Sequence, residues 1–344
     1  MKVIYEYIWL DHDNNFRSKT KITTTENCIE NGIPLWNFDG SSTNQASGND
    51  SEVYLKPVSF YKDPFRQIEN TKCYLVLCEL WLPNDTPHPD NKRNDAFTIF
   101  NKESVKEAET MFGIEQEFFF YDIKTKLPLG MKKELNGQVS GYSGQQGPYY
   151  CAVGAGKVFG RHIAEKALDN MLYCKLNITG LNFEVAPGQC EYQLCEKGLK
   201  AADDLLILRY ILVRTAEEFN VGINFHPKPV KGNWNGSGCH INYSTLKMRE
   251  ENGYDEIIKA IKKLETKHME HIEVYGDYNN LRLTGKHETA YIEKFSYGVA
   301  NRGSSIRIPR FTDRDKKGYF EDRRPASNMN PYLALSKIVE TTIN

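Results

Sequence analysis

The chain has 344 residues, room for two domains or one large domain with a smaller companion, and its 40% hydrophobic and 26% charged content is ordinary for a globular protein. A net charge of -1 supplies no global field toward nucleic acid or an anionic membrane, and no apolar run approaches the ~20 residues of a membrane span. The eight cysteines include no Cys-x-x-Cys pair, so a zinc site is not indicated, and a cytoplasmic protein with reduced thiols is expected.

The N-terminal stretch MKVIYEYIWLDHD predicts a first strand rather than a signal peptide, since Glu6 and Asp11 interrupt its short apolar alternation. KTKITT and CYLVLCELWL read as further strands, with NFDGSSTNQASGNDS (Asn37–Ser51) a polar, turn-rich loop between them. Three prolines and mixed charge in PNDTPHPDNKRND (Pro83–Asp95) mark a linker. The boundaries expected are a small domain over 1–83, a linker over 84–95 and a larger domain over 96–344. Residues 96–108 predict a helix, and GIEQEFFFYD (Gly113–Asp122) a strand. Helical apolar spacing recurs in VFGRHIAEKALDNMLYCKL, KGLKAADDLLILRYILVRTAEEFN and YDEIIKAIKKLETKHMEHI. Hairpin signals are frequent between the helices, so the expected class is α+β with a largely antiparallel sheet packed with helices.

The strand GIEQEFFFYD carries an anomaly. At a period of two, Glu115 and Glu117 share a face, their Cα atoms about 7 Å apart, beside Phe119 and Tyr121. Like charges against an apolar wall are costly unless something neutralises them. A second segment repeats the pattern. In NFEVAPGQCEYQ (Asn182–Gln193) the turn dipeptide Pro187-Gly188, taken as a two-residue hairpin loop, sets Glu184 opposite Glu191. One such pair is compatible with a solvated sheet face. Two pairs point to a hard divalent cation, magnesium or manganese, held by carboxylate oxygens. Glycoside hydrolysis also uses paired carboxylates, but needs one acid and one base rather than four glutamates.

GNWNGSGCHINYS (Gly232–Ser244) is a glycine-rich loop followed by a strand whose His240, Asn242 and Ser244 share one face. His240 reads either as a metal ligand beside the carboxylates or as a hydrogen-bonded core histidine. The tract from Asn301 to Pro325 holds six arginines, at 302, 307, 310, 314, 323 and 324. Arginine suits bidentate binding of phosphate or carboxylate. Glu321 lies within the tract and the rest of the chain is not basic, which argues against nucleic acid. RLTGKHET (Arg282–Thr289) reads as a loop able to close over a site, or as a surface loop without a role.

Taken together, WNFDGSST, GIEQE, GPYYCAVG, NWNGSGCH, LTGKHET, GVANRGSSIRIPR and GYFEDRRP resemble glutamine synthetase of the eukaryotic type, in the family's order and over nearly the whole chain. The resemblance implies a small N-terminal β-grasp domain and a catalytic domain on a curved, largely antiparallel sheet. It implies ATP-dependent ligation of ammonia to L-glutamate, with two to three Mg2+ or Mn2+ ions per site and cytoplasmic location. It also implies a decamer of two stacked pentamers with sites shared between neighbouring subunits, and no nucleic-acid or membrane partner. By the same resemblance, Glu117, Glu184 and Glu191 hold one metal, and Glu115, His240 and Glu321 the other. Glu115, Glu191, Asn242, Tyr243, Ser244, Arg302, Arg307, Tyr319 and Phe320 are implied around ATP. Asn233, Trp234, Gly236, Arg282, Arg302 and Arg323 are implied around glutamate. Asp39, Glu288 and Arg302 are the implied catalytic residues, the two carboxylates binding ammonium and taking its proton. Both carboxylates argue against a sister ligase with a larger amine, and the intact metal ligands argue against a non-catalytic homologue. Met111 departs from the tryptophan usual near the nucleotide base, and Cys190 from the tryptophan that often precedes the second hairpin glutamate.

Overall fold

A computed structural model describes residues 1–24, 32–141 and 147–343, so Cys28 lies outside the described residues. The chain forms two compact units, residues 1–98 with 169–176, and residues 99–168 with 177–344. The α+β class expected from the sequence is the class observed.

Among the described residues of the first unit, five strands form one sheet: β1 (Lys2–Leu10), β2 (Phe16–Thr24), β3 (Trp36–Asp39), β4 (Glu52–Lys62) and β5 (Thr71–Trp81). Their order is β2-β1-β5-β4-β3, parallel between β1 and β5 and otherwise antiparallel. Val3, Tyr5, Tyr7 and Trp9 alternate along β1 and pack against Val53, Leu55, Val76 and Leu80. Neither β3 nor β4 is predicted from the sequence. Proline ordinarily excludes an interior strand, and Pro57 lies inside β4. It is accommodated because the β4–β5 register shifts between Pro57 and Ser59.

Helices begin with α1 (Lys92–Phe100) and α2 (Glu103–Glu107), where one helix over 96–108 was expected. α1 starts earlier because Asn91 Oδ1 accepts the Asn94 amide at 3.1 Å, satisfying an end group that would otherwise be unpaired. The longest strand, β6 (Met111–Asp122), follows, then the small hairpin β7 (Met131–Lys133) and β8 (Val139–Gly141). The remaining strands are β9 (Ile178–Phe183), β10 (Gln189–Lys197), β11 (Val221–Asn224), β12 (Cys239–Ser244), β13 (Tyr297–Val299), β14 (Ile306–Ile308) and β15 (Phe320–Asp322). The main sheet runs β13-β14-β15-β12-β6-β10-β9, with β11 also paired to β6. It is antiparallel except between β13 and β14. The further helices are α3 (Arg161–Tyr173), α4 (Lys200–Glu218), α5 (Leu246–Arg249), α6 (Tyr254–Thr266), α7 (His268–Ile272), α8 (Arg310–Asp315) and α9 (Pro331–Ile343). The single helix expected over 254–272 thus breaks at Lys267.

The β9–β10 turn corrects one expectation. Cys190 pairs with Phe183 and Glu191 with Asn182, and the Glu184 amide donates to Gln189 O at 3.0 Å. Glu184 therefore faces Gln189, not Glu191. A longer turn, with the Gln189 amide bonded to Ala186 O, replaces the two-residue loop, because Pro-Gly does not supply the turn a tight hairpin needs. Gly188 holds φ +69°, and a Cβ there would sit 2.7 Å from Leu129 O. Gly188→Ala should destabilise the protein by at least about 2 kcal/mol in urea unfolding, from left-handed strain plus the clash. An unchanged midpoint would sink that account of the turn.

Candidate active site

β6 lies at the centre of the site because it pairs on both edges. On one side Glu115 is opposite His240 of β12, and on the other Glu117 is opposite Glu191 of β10. β15 pairs with β12, with Glu321 opposite Asn242. Two constellations result. Glu117, Glu184 and Glu191 each offer a ligand atom within 4.8 Å of the others, and so do Glu115, His240 and Glu321. Among these, only Glu115 is not buried.

Each carboxylate is held by polar neighbours. The Gly238 amide donates to Glu117 Oε2 at 2.7 Å, and Asn182 Nδ2 to Glu184 Oε1 at 2.8 Å. Gln193 Nε2 donates to Glu191 Oε1 at 2.9 Å, and Asn242 Nδ2 to Glu115 Oε1 at 2.8 Å. Gly238 is required by space: a Cβ would lie 2.6 Å from His240 Nε2. Burial, then the nearby Glu184 charge, pushes Glu117 up to about 8. Burial followed by Glu115 and Glu117 pushes Glu191 up to about 9, and burial also raises Glu184. Burial, then the Arg323 charge, holds His240 well below the usual imidazole range. Its ring is neutral, so the contact of Nδ1 with Glu115 Oε2 at 3.3 Å is not an ion pair, and a ring nitrogen keeps a lone pair for a metal.

The arginines divide. Arg307 Nη1 and Arg323 Nη1 both bond Glu321, at 2.9 and 2.5 Å, and Arg302 Nη2 pairs with Glu288 Oε2 at 2.7 Å. Arg282 is buried; its Nη2 donates to the carbonyls of Arg323, Arg324 and Pro325, and its Nε to Asn279 Oδ1 at 3.2 Å. Arg324 pairs with Asp322 in the interior, and Arg314 pairs with exposed Asp315. Glu117, Glu184, Gly236, Arg282, Glu288, Arg302 and Arg323 line one small pocket. A second cavity, about 440 Å³, is lined by Met111, Gly113, Glu115, Asn242, Ser244 and Tyr319.

Some expected side chains point elsewhere. Trp234 is packed among Phe119, Met131, Ala186 and Val230, and Asn233 is exposed, so neither side chain lines the small pocket. The Tyr243 and Phe320 rings are buried against one another and their backbones pair across β12 and β15, so neither side chain is offered to a ligand. Cys190 is buried opposite Phe118 and Phe183. Asp39 belongs to the first unit, where its carboxylate accepts from the Ser41 amide at 3.0 Å and Ser41 Oγ at 2.6 Å. Sequence reasoning missed Asn235 and His287 in the small pocket, and Tyr150, whose hydroxyl feels Glu184 and Arg302. It also missed Asn182, which the period-two spacing to Glu184 could have indicated.

In protein without a bound cation the pH dependence has a definite sign. Glu117 and Glu191 bind protons more tightly folded, near 8 and 9, than at their ordinary 4.5. Their stabilising contribution is complete below 4.5 and is lost as pH rises through those folded values. Tm in chelator should therefore fall between about pH 6 and 9. A rising Tm over that interval would contradict the electrostatics of the cluster.

Comparison with known proteins agrees with this geometry. Residues 2–83 match the family model of the glutamine synthetase β-grasp domain, and residues 93–266 that of the glutamine synthetase catalytic domain. The chain is 49% identical over 344 residues to a glutamine synthetase cytosolic isozyme of Pinus sylvestris, covering 99% of this chain and 94% of the relative. It is likewise 49% identical to glutamine synthetase cytosolic isozyme 2 of Vitis vinifera, with the same coverage of 99% and 94%. It is 48% identical to a glutamine synthetase nodule isozyme of Medicago sativa, again over 99% of this chain and 94% of the relative. Matches to both domain models, with near-full-length identity at this level, mean that the chain belongs to the glutamine synthetase family.

Proposed function

We propose that this protein joins ammonia to the side-chain carboxylate of L-glutamate with ATP, giving L-glutamine, ADP and phosphate through a γ-glutamyl phosphate. The observation that supports this reading most is the juxtaposition on β6. Glu117 lines the small arginine-rich pocket, while Glu115 lines the larger cavity. One strand thus connects a site for a small acid to a site for a nucleotide.

The donors, five carboxylates and one neutral imidazole, fit two hard divalent ions, Mg2+ or Mn2+. Glu117, Glu184 and Glu191 would hold one, and Glu115, His240 and Glu321 the other. When bound, such ions shield the charge of a transferring phosphoryl group. The rest of the mechanism lies with the chain's own groups. A carboxylate acylates poorly because oxide is a poor leaving group, whereas an acyl phosphate releases phosphate. Arg302 and Arg307 neutralise charge on the transferring group. Arg323, the Nη1 face of Arg282, and the backbone at Asn233, Trp234 and Gly236 orient glutamate. Asn242 and Ser244, with the backbone at Tyr243, Tyr319 and Phe320, orient ATP. Ammonium is no nucleophile until it loses a proton, which Glu288 with Asp39 accepts. The Arg282–Thr289 loop keeps water from the acyl phosphate.

In this reading the protein is a cytoplasmic decamer of two stacked pentamers, Asp39 completing a neighbour's site. The relatives' names, cytosolic isozymes, support the location. Among the described residues no helix is long and apolar enough to cross a membrane.

Phosphate release should require glutamate, ammonium, ATP and Mg2+ together; release driven better by methylamine or a polyamine would favour the larger-amine ligase. Glu288→Ala should keep ATP binding yet lower synthesis about 100-fold or more, and undiminished synthesis would remove Glu288 from its role. Arg323→Ala should raise the glutamate KM about tenfold or more; an unaltered glutamate response would contradict the assignment. Sedimentation at about ten times the protomer mass is expected, and a monomer active at assay concentration would refute shared sites.

A further inference from the structure

Arg209 lies midway along α4 and is buried, yet among the described residues its guanidinium has no carboxylate partner. Removing a charge from water without a counter-ion is expensive, so a buried cation bonded only to neutral groups calls for a reason. Its bonds supply one. Nε donates to Gln116 Oε1 at 2.7 Å, Nη1 to Met329 O at 2.9 Å, and Nη2 to Ser327 O at 3.0 Å. Nη2 also reaches Cys239 Sγ at 3.9 Å.

Two of the acceptor residues, Gln116 and Cys239, adjoin members of the carboxylate constellations, and the other two lie in the segment after β15. Gln116 stands between Glu115 and Glu117 and points to the opposite face of β6. Cys239 precedes His240, and Ser327 and Met329 follow the β15 segment that carries Glu321 and Arg323. The links continue inward. Gln116 Nε2 donates to Glu117 O at 2.8 Å and Ser327 Oγ at 2.9 Å, and Ser327 Oγ donates to Glu117 O. One planar cation therefore joins three remote segments from behind the sheet, while its charge lies on the reverse side of a face crowded with glutamates.

We propose that Arg209 is a positioning residue: it sets the register of β6, β12 and the segment after β15, so that both constellations keep the spacing a divalent ion needs. This rests on the metal reading above. Lysine keeps the charge at this position but has neither the planar fork nor the donors to reach all of these acceptors.

The test uses full-length protein and Mn2+ alone, with the free ion followed by its EPR signal, beside circular dichroism and thermal unfolding. Arg209→Gln should bind Mn2+ about 10–100-fold more weakly, with Arg209→Lys intermediate. Ser327→Ala leaves the Arg209 bonds to backbone carbonyls in place and cuts the hydroxyl link to Glu117. It should weaken one Mn2+ site and spare the other. A folded Arg209→Gln with parental Mn2+ affinity at both sites overturns the proposal, even with a lowered Tm, because a purely structural arginine would do just that. Should Arg209→Gln fail to fold, Arg209→Lys decides, and parental affinity at both sites in that folded variant overturns the proposal. A parent protein that binds no Mn2+ overturns the metal reading first and this inference with it; only in that case is the parent itself silent.

Discussion

Everything in the second unit answers one electrostatic constraint: glutamates brought within a few ångströms of one another, in a largely buried setting, cannot all stay charged without positive neighbours. The fold concentrates cations around them. Arg307 and Arg323 grip Glu321, Arg282 lies close enough to oppose the charge of Glu117, and Arg302 lies within the field of Glu184. Residual repulsion remains, visible in the high proton affinity of Glu117 and Glu191. That residue of unfavourable energy is what a multivalent cation bound among these carboxylates would relieve.

The same strand that serves the site anchors it. Along β15 and just beyond, Glu321 and Arg323 face the pocket side, while Asp322 and Arg324 turn inward. Arg324 can only donate, so His268 accepts at Nδ1 and its Nε2–H bonds Ile292 O at 2.8 Å. Tyr275 donates to Asp322 at 2.7 Å, so it accepts from His271 Nδ1, and Nε2 is left to accept from Thr341 Oγ1 at 2.9 Å. The chain of bonds reads Thr341, His271, Tyr275, Asp322, Arg324, His268. It ties α7 and α9 to the back of β15 with every member satisfied, as a buried polar network must be. Burial, with Arg324 nearby, keeps His271 neutral down to about 3.

Much of this was legible in the residues, for physical reasons. Strand periodicity placed Glu115 and Glu117 on one face, and His240 with Asn242 on another strand, because a period of two needs no tertiary information. Pairing register did need it: the offset at Glu184 depends on how the Pro187-Gly188 turn meets Leu129 and Phe120, atoms far away in sequence. Trp234 sits in a polar, glycine-rich loop, and only the packing around Phe119 shows that its indole is core. β4 was obscured by Pro57, whose missing amide is tolerated at a register shift that no local pattern reveals. Arg209 hid in an apolar helical run, where a lone arginine gives no signal of the three segments it reaches.

The central placement of β6 has a bearing on how the chain reaches its native state. Its neighbours β10 and β12, and then β15, come from progressively later parts of the polypeptide, so Glu115 waits for Glu321 until nearly the whole catalytic unit has been synthesised. Contacts of such long sequence separation form slowly and late. An ion that needs ligands from both ends cannot template an early intermediate. It recognises only finished molecules, and through mass action it withdraws them from the unfolding equilibrium.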